Sequence, residues 1–216
     1  MSRGLAVVLT LLTLAAAVYA GWWSNRRAIY FPAELQSRFN DCEVFPGQWE
    51  RQLVQDRAHA EWYSGALADL EEPSLYDRPQ GAPRSLRFTW LRSFHDPVAV
   101  RIDAMPGGGL HMTARRNPAA SELNPHAEAP HLRRLSRPLT AREAAELEVL
   151  LDQTGLVAAP SSGCLCCVDG AEWIVESSDP LRGYRYHHRQ SPDSGAERRL
   201  GEFFLTLTGW DVGPVY

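Results

Sequence analysis

The sequence predicts an α+β fold: an antiparallel sheet of about five strands packed against helices in two layers, in the order α-βββ-α-ββ-α. Three observations predict it. Several short runs alternate apolar and polar residues, as half-buried strands do. The links within each group of runs are short and turn-rich, so neighbouring strands pair antiparallel. Between and after the groups, apolar residues recur at helical spacing next to recognisable caps. Helices on one sheet face make two layers, and the other face is then polar.

Residues 21–46 read as an irregular lead-in with a short helical piece at Pro32–Phe39. From Gly47 a helix is expected, with Trp49, Leu53, Ala60, Tyr63, Leu67 and Leu70 near one face. Asp56 interrupts that stripe, and the helix ends before Pro73. After the linking residues 73–84 comes the clearest strand, in which Leu86, Phe88 and Trp90 alternate with Arg87, Thr89 and Leu91. Val98, Val100 and Ile102 mark a second strand, Pro106 to Gly109 a turn, and Leu110 to Arg116 a third strand. Residues 117–139 read as a long loop. Thr140 and Glu143 form a capping box for a helix that buries Ala144, Leu147, Leu150 and Leu151 and stops near Gly155. Ala171, Trp173 and Val175 mark a fourth strand, and Tyr184 to Arg189 its hairpin partner. A last helix buries Leu200, Phe203, Phe204 and Leu207, with Gly209 as its C-terminal cap. Trp49, Trp90 and Trp173 are expected in the core.

The chain begins as an export segment. Arg3 precedes an uncharged apolar run, residues 5–23, which reads as a signal peptide or a single membrane anchor. Ala20 offers a cleavage point, whereas Trp22 and Trp23 would suit the headgroup level of an anchor. Residues 24–216 then form one extracytoplasmic domain, periplasmic or held at the inner membrane, and membrane contact is confined to residues 5–23. All 22 basic residues are arginine, which excludes lysine chemistry. A net charge of −4 gives no general attraction to nucleic acid, and no nucleic-acid partner is expected.

Four cysteines, Cys42, Cys164, Cys166 and Cys167, follow the export segment. An oxidising compartment favours disulfides, and bridges within the cluster are geometrically awkward, so Cys42 is expected to join Cys164, Cys166 or Cys167. The two thiols left over are then bridged or free. The cluster lacks paired C-x-x-C spacing and no histidine follows at finger spacing, so no metal site is predicted. There is no G-x-S-x-G, H-E-x-x-H, G-x-G-x-x-G or phosphate-loop motif, and no cofactor is expected.

The polar strand residues are the candidates for function. Arg87, Arg92 and Arg101 lie on or near the first hairpin, and Arg185 and Arg189 on the last strand. On an open face they suit a small anionic ligand or a peptide terminus, because guanidinium groups match carboxylates. His95 or His187 with Asp169 or Glu176 would make an acid–base pair if within hydrogen-bond reach. His187 and His188 face opposite ways, so at most one joins any single site. Ser191 is the one serine singled out as a nucleophile to inspect.

The stretches LRFTWLRSFHDPVAVRI (86–102), DGAEWIVES (169–177) and GYRYHHRQSP (183–192) resemble those of an uncharacterised family of exported bacterial proteins. The resemblance runs from about Trp49 to Gly209. Where that family reads Arg-Trp-Ser-Pro, this chain has Arg189, Ser191 and Pro192 but Gln190 in the tryptophan place. The resemblance implies export and a single domain, and implies no activity. Two functional expectations follow. The first is a non-enzymatic envelope protein that binds a partner protein or a small anionic ligand. The alternative is a small extracytoplasmic hydrolase with a His–carboxylate pair on the sheet face.

Overall fold

The computed structural model describes residues 28–79, 81–117, 132–166 and 169–216. The apolar run 5–23 and Cys167 lie outside the described residues. Among the described residues no helix is long and apolar enough to cross a membrane. In chain order the elements are β1 (Phe39–Phe45), β2 (Gln48–Leu53), α1 (Arg57–Asp69), β3 (Ser85–Arg92), β4 (His95–Ala104), β5 (Leu110–Arg116), β6 (Arg133–Pro138), α2 (Ala141–Thr154), β7 (Ser162–Cys164), β8 (Ala171–Asp179), β9 (Gly183–Gln190) and α3 (Ala196–Thr208). A 3-10 turn at Ala33–Gln36 precedes them.

All five expected strands form, as β3, β4, β5, β8 and β9, but the sheet is larger. It has seven strands in the order β6-β5-β4-β3-β8-β9-β7, and β1 and β2 make a separate two-stranded ribbon. The added strands each hide from pattern reading for a physical reason. β6 is an edge strand rich in arginine and ends in proline, the composition that protects an edge from pairing and also mimics a loop. β7 has three residues and pairs parallel to β9. β2 carries Trp49 and Leu53, which also fit a helical stripe. Its true partner is β1, across a turn in which Gly47 adopts φ 76°. The helix therefore starts at Arg57, not Gly47. Asp56, which breaks the stripe in the sequence, is its N-cap and accepts from the His59 N–H at 2.9 Å. Trp49 is 64% exposed, which corrects its expected place in the core.

The two-layer expectation also changes, because both faces of the sheet are covered. Leu86, Phe88 and Trp90 of β3 join Val98, Val100, Ile102, Trp173 and Val175 under α2 and α3. Leu91, Ile174 and Tyr186 face the other way and pack with Ala60, Tyr63 and Leu67 of α1. β3 is consequently buried at every position, as a central strand between two layers must be. The capping box of α2 forms as predicted, and Gly155 and Gly209 end α2 and α3 in the left-handed conformation. Trp90 and Trp173 are fully buried, as expected.

The ribbon is tied to the β7 edge. Cys42 is bonded to Cys164 across 122 residues, with Cα atoms 5.5 Å apart. In the chain-entropy account, closing a loop of that length stabilises by about 4–5 kcal/mol. Cys166 is also disulfide-bonded. Two amides reinforce the tie: the Leu165 N–H donates to Gln52 Oε1 at 2.8 Å, and the Gly163 N–H donates to Asn40 Oδ1 at 3.1 Å. The backbones meet so closely that a Cβ on Gly163 would lie 1.9 Å from the Val54 carbonyl oxygen. Gly163→Ala should therefore cost about 1–3 kcal/mol or more through forced backbone displacement, read from the urea midpoint. An unchanged midpoint would show that the ribbon is not seated this tightly.

Candidate functional site

Two arginines of the first hairpin, Arg87 and Arg101, do converge, but on carboxylates of the same chain. Arg87 on β3 lies directly opposite Arg101 on β4 and Glu176 on β8. Its Nε and Nη2 donate to Glu176 Oε2 at 2.8 and 2.6 Å, and its Nη1 donates to the Pro73 carbonyl. Two like charges opposite each other in a sheet are unfavourable unless a counter-charge intervenes. Glu72 supplies it, with Oε2 2.9 Å from Arg101 Nε and 3.8 Å from Arg87 Nη1, and Oε1 3.3 Å from Arg115 Nε. Tyr184 donates to the other oxygen of Glu176 at 2.8 Å. Arg87 and Glu176 have no exposed side-chain surface. Burial opposes the charge on Arg87, but Glu176 and Glu72 outweigh it and hold the guanidinium above its usual range. Arg115 Nη1 also donates to the Leu70 and Glu71 carbonyls, which ends α1. Glu71 sits at φ 56°, an uncommon conformation for this residue. Replacing one member of the buried pair, as in Glu176→Gln or Arg87→Ala, should cost about 3–5 kcal/mol in chemical denaturation. A loss below about 1 kcal/mol, the scale of a surface pair, would contradict this geometry.

The remaining expected residues do not join them. Arg92 donates to the carbonyls of Val212 and Asp96 at 2.6 and 2.9 Å and lies over the Trp90 ring. Burial pushes it down to about 10. Arg185 and Arg189 share a face with His187, opposite to that of Glu176 and Tyr186. Arg189 stands 4.0 Å from Glu197. His95 Nδ1 lies 2.8 Å from the Tyr216 hydroxyl, and Asp169 is exposed. Ser191 Oγ accepts from the Ala171 N–H at 2.8 Å, across the open end of the β8–β9 hairpin. His187 Nδ1 faces Ser162 Oγ at 3.0 Å, directly across the parallel β7–β9 pairing. Neither His95 nor His187 meets Asp169 or Glu176, so the acid–base pairs expected from the sequence do not form.

Burial pushes His187 down to about 4 from its ordinary 6.5. The folded state thus holds a neutral imidazole that the unfolded chain protonates more readily. The associated stability is complete above about pH 6.5 and is lost as pH falls towards 4. Melting temperatures should fall over that window, and His187→Gln should flatten the fall. Equal pH slopes in the two proteins would rule the effect out.

A different acid–base group forms on the α1 face. Ile174 lies opposite His188 in the β8–β9 register, which places Glu172 diagonal to it on the same face. His188 Nε2 hydrogen-bonds Glu172 Oε2. Tyr63, two turns into α1 from its cap, donates to the same oxygen at 3.0 Å and lies 3.4 Å from His188 Nε2. Burial, together with Tyr186 and Glu172 close by, pushes the Tyr63 phenol far above its usual range, so it acts as a donor. The hydrogen bond to Glu172 engages Nε2 and leaves Nδ1 as the other ring nitrogen of His188.

A narrow crevice reaches His188. It is lined by Leu53, Val54, Gln55, Asp56, His59 and Tyr63 from the ribbon end and α1, and by Gly163, Leu165, Tyr186 and His188 from the sheet. Asp56 and His59 stand at its exposed end, 2.6 Å apart, with side chains 38% and 27% exposed. Burial raises the Asp56 carboxyl, but hydrogen bonds from the His59 backbone and ring bring it below its usual value. The side chains of His188 and Glu172 are 3% and 5% exposed. Among the described residues no group of three or more His, Cys, Asp or Glu is arranged to hold a metal. A second, wider groove of ≈ 710 Å³ runs between the ribbon tip and the start of α3, with Phe45 and Trp49 on its rim.

Comparison with known protein families finds no match, and no curated protein matches the chain either. The sequence pattern points to Asp169 and Glu176 rather than Glu172, and shows Tyr63 only as part of a helical stripe. The signal for the group was the facing of Glu172 and His188 on adjacent hairpin strands, and it becomes legible only when the register is known.

Proposed function

We propose that Glu172, His188 and Tyr63 form an acid–base centre, and that the protein is a small extracytoplasmic hydrolase. The observation that carries this reading is the hydrogen-bonded His188–Glu172 pair at the end of a crevice. A carboxylate on one ring nitrogen fixes the tautomer and raises the basicity of the other, the arrangement that general-base catalysis requires. The tyrosine adds a fixed donor to the carboxylate. Export is supported by the apolar run at residues 5–23 and by the Cys42–Cys164 bridge, which suits an oxidising compartment. The hairpin arginines are not assigned a ligand in this reading, because Glu72, Glu176 and Asp103 take up Arg87 and Arg101.

A binding role is the second reading, and it rests on the wider groove. Phe45 and Trp49 are 58% and 64% exposed there, on a ribbon held by a disulfide. Exposed aromatic side chains on a rigid element suit a protein partner.

One experiment separates the two. The exported protein, His188→Asn and Glu172→Gln are assayed on chromogenic esters, phosphates and glycosides, with melting temperatures measured alongside. The hydrolase reading expects activity on one class and a loss of about 10²–10⁴-fold in both variants, with the fold retained. Activity on none of the classes, or equal activity in the variants, rejects it and leaves the groove as the functional surface.

A further inference from the structure

The crevice carries a second set of polar groups that the acid–base centre does not use. Gln55 is 3% exposed, and neither atom of its amide makes a hydrogen bond of ordinary geometry. Tyr186 is fully buried, and its hydroxyl, beside the Gln55 amide, also lacks a hydrogen bond of ordinary geometry. Both side chains line the crevice. Buried donors and acceptors are almost always satisfied by protein or by an ordered water, and two adjacent exceptions at one cavity point to a shared partner. The space offers ≈ 10 Å³ to the centre of a water-sized sphere. That is room for about one water and for nothing larger.

We propose that this crevice is a built site for a single water molecule, held by the Gln55 amide and the Tyr186 hydroxyl beside His188. The chemistry is complete: water donates to Gln55 Oε1 and accepts from Gln55 Nε2 or the Tyr186 hydroxyl, groups that touch each other but make no hydrogen bond of ordinary geometry. Leu53, Val54 and Leu165 wall the space, while Asp56 and His59 at the exposed end and Tyr63 and His188 within are the remaining polar groups that face it. The site stands by itself; its use as the reactant water rests on the hydrolase reading above.

The test is a high-resolution crystal structure of the exported protein combined with a double-variant cycle. One spherical density peak is expected about 2.7–3.2 Å from both a Gln55 amide atom and the Tyr186 oxygen. Gln55→Leu should remove the peak and lower the melting temperature, since Tyr186 is left dry. Adding Tyr186→Phe should recover part of that loss, because removing both polar groups strands neither. A direct Gln55–Tyr186 hydrogen bond with no peak overturns the site, and so do losses that simply add. Tyr186→Phe alone removes one atom and gives an independent arm: the peak should move away from β9 or vanish, and an unmoved peak overturns the role of Tyr186. None of these readouts is an activity, so an enzyme screen without turnover rejects the hydrolase and leaves the water site standing.

Discussion

A charged pair with no exposed surface, Arg87 with Glu176, joins the middle strand of a seven-stranded sheet, β3, to its neighbour β8. Water cannot solvate it, so the chain itself must. The turn after α1 folds back to bring the Pro73 carbonyl and Glu72 onto the arginines, and β9 brings the Tyr184 hydroxyl onto Glu176. The same turn presents its carbonyls to Arg115. Such a network is a poor source of net stability, because desolvation consumes much of the attraction. It does prescribe where the end of α1 can lie, since any other placement strands a buried charge.

The start of α1 is held by a different kind of constraint. The Cys42–Cys164 bond, the amides of Asn40 and Gln52 and the backbone approach at Gly163 lock the ribbon against β7. The ribbon runs directly through Val54 and Gln55 into the Asp56 cap. With one end fixed by ion pairs and the other by a covalent tie, α1 presents Tyr63 to Glu172 and leaves a narrow crevice beside His188. The His188–Glu172–Tyr63 group is thus held by packed elements on both sides.

Five strands, three helices, the capping box of α2, the terminal glycines and a bridge from Cys42 into the cysteine cluster were all legible in the residues. Each rests on local periodicity, on a cap or on cysteine geometry. β6 and β7 were not legible, because an arginine-rich edge and a three-residue strand have almost no period to read. β2 was misread as the start of a helix, since Trp49 and Leu53 are spaced four apart and fit either element. The arginines stand out as a group, yet their partners do not, because Glu72 belongs to a separate turn after α1, fifteen residues before Arg87.

By itself, then, the sequence determined the class of fold, the alternation that sends His187 and His188 to opposite faces, and the reach of Cys42 to the cluster. Tertiary structure decided that the polar face is covered, that its arginines are neutralised from within, and that Glu172 meets His188 and Tyr63. The reason is one of range. Periodicity and caps act over a few residues and are written in neighbouring positions. Strand register, the seating of α1 and the pairing of buried charges depend on groups 16 to 109 residues apart, which only a packed chain brings together.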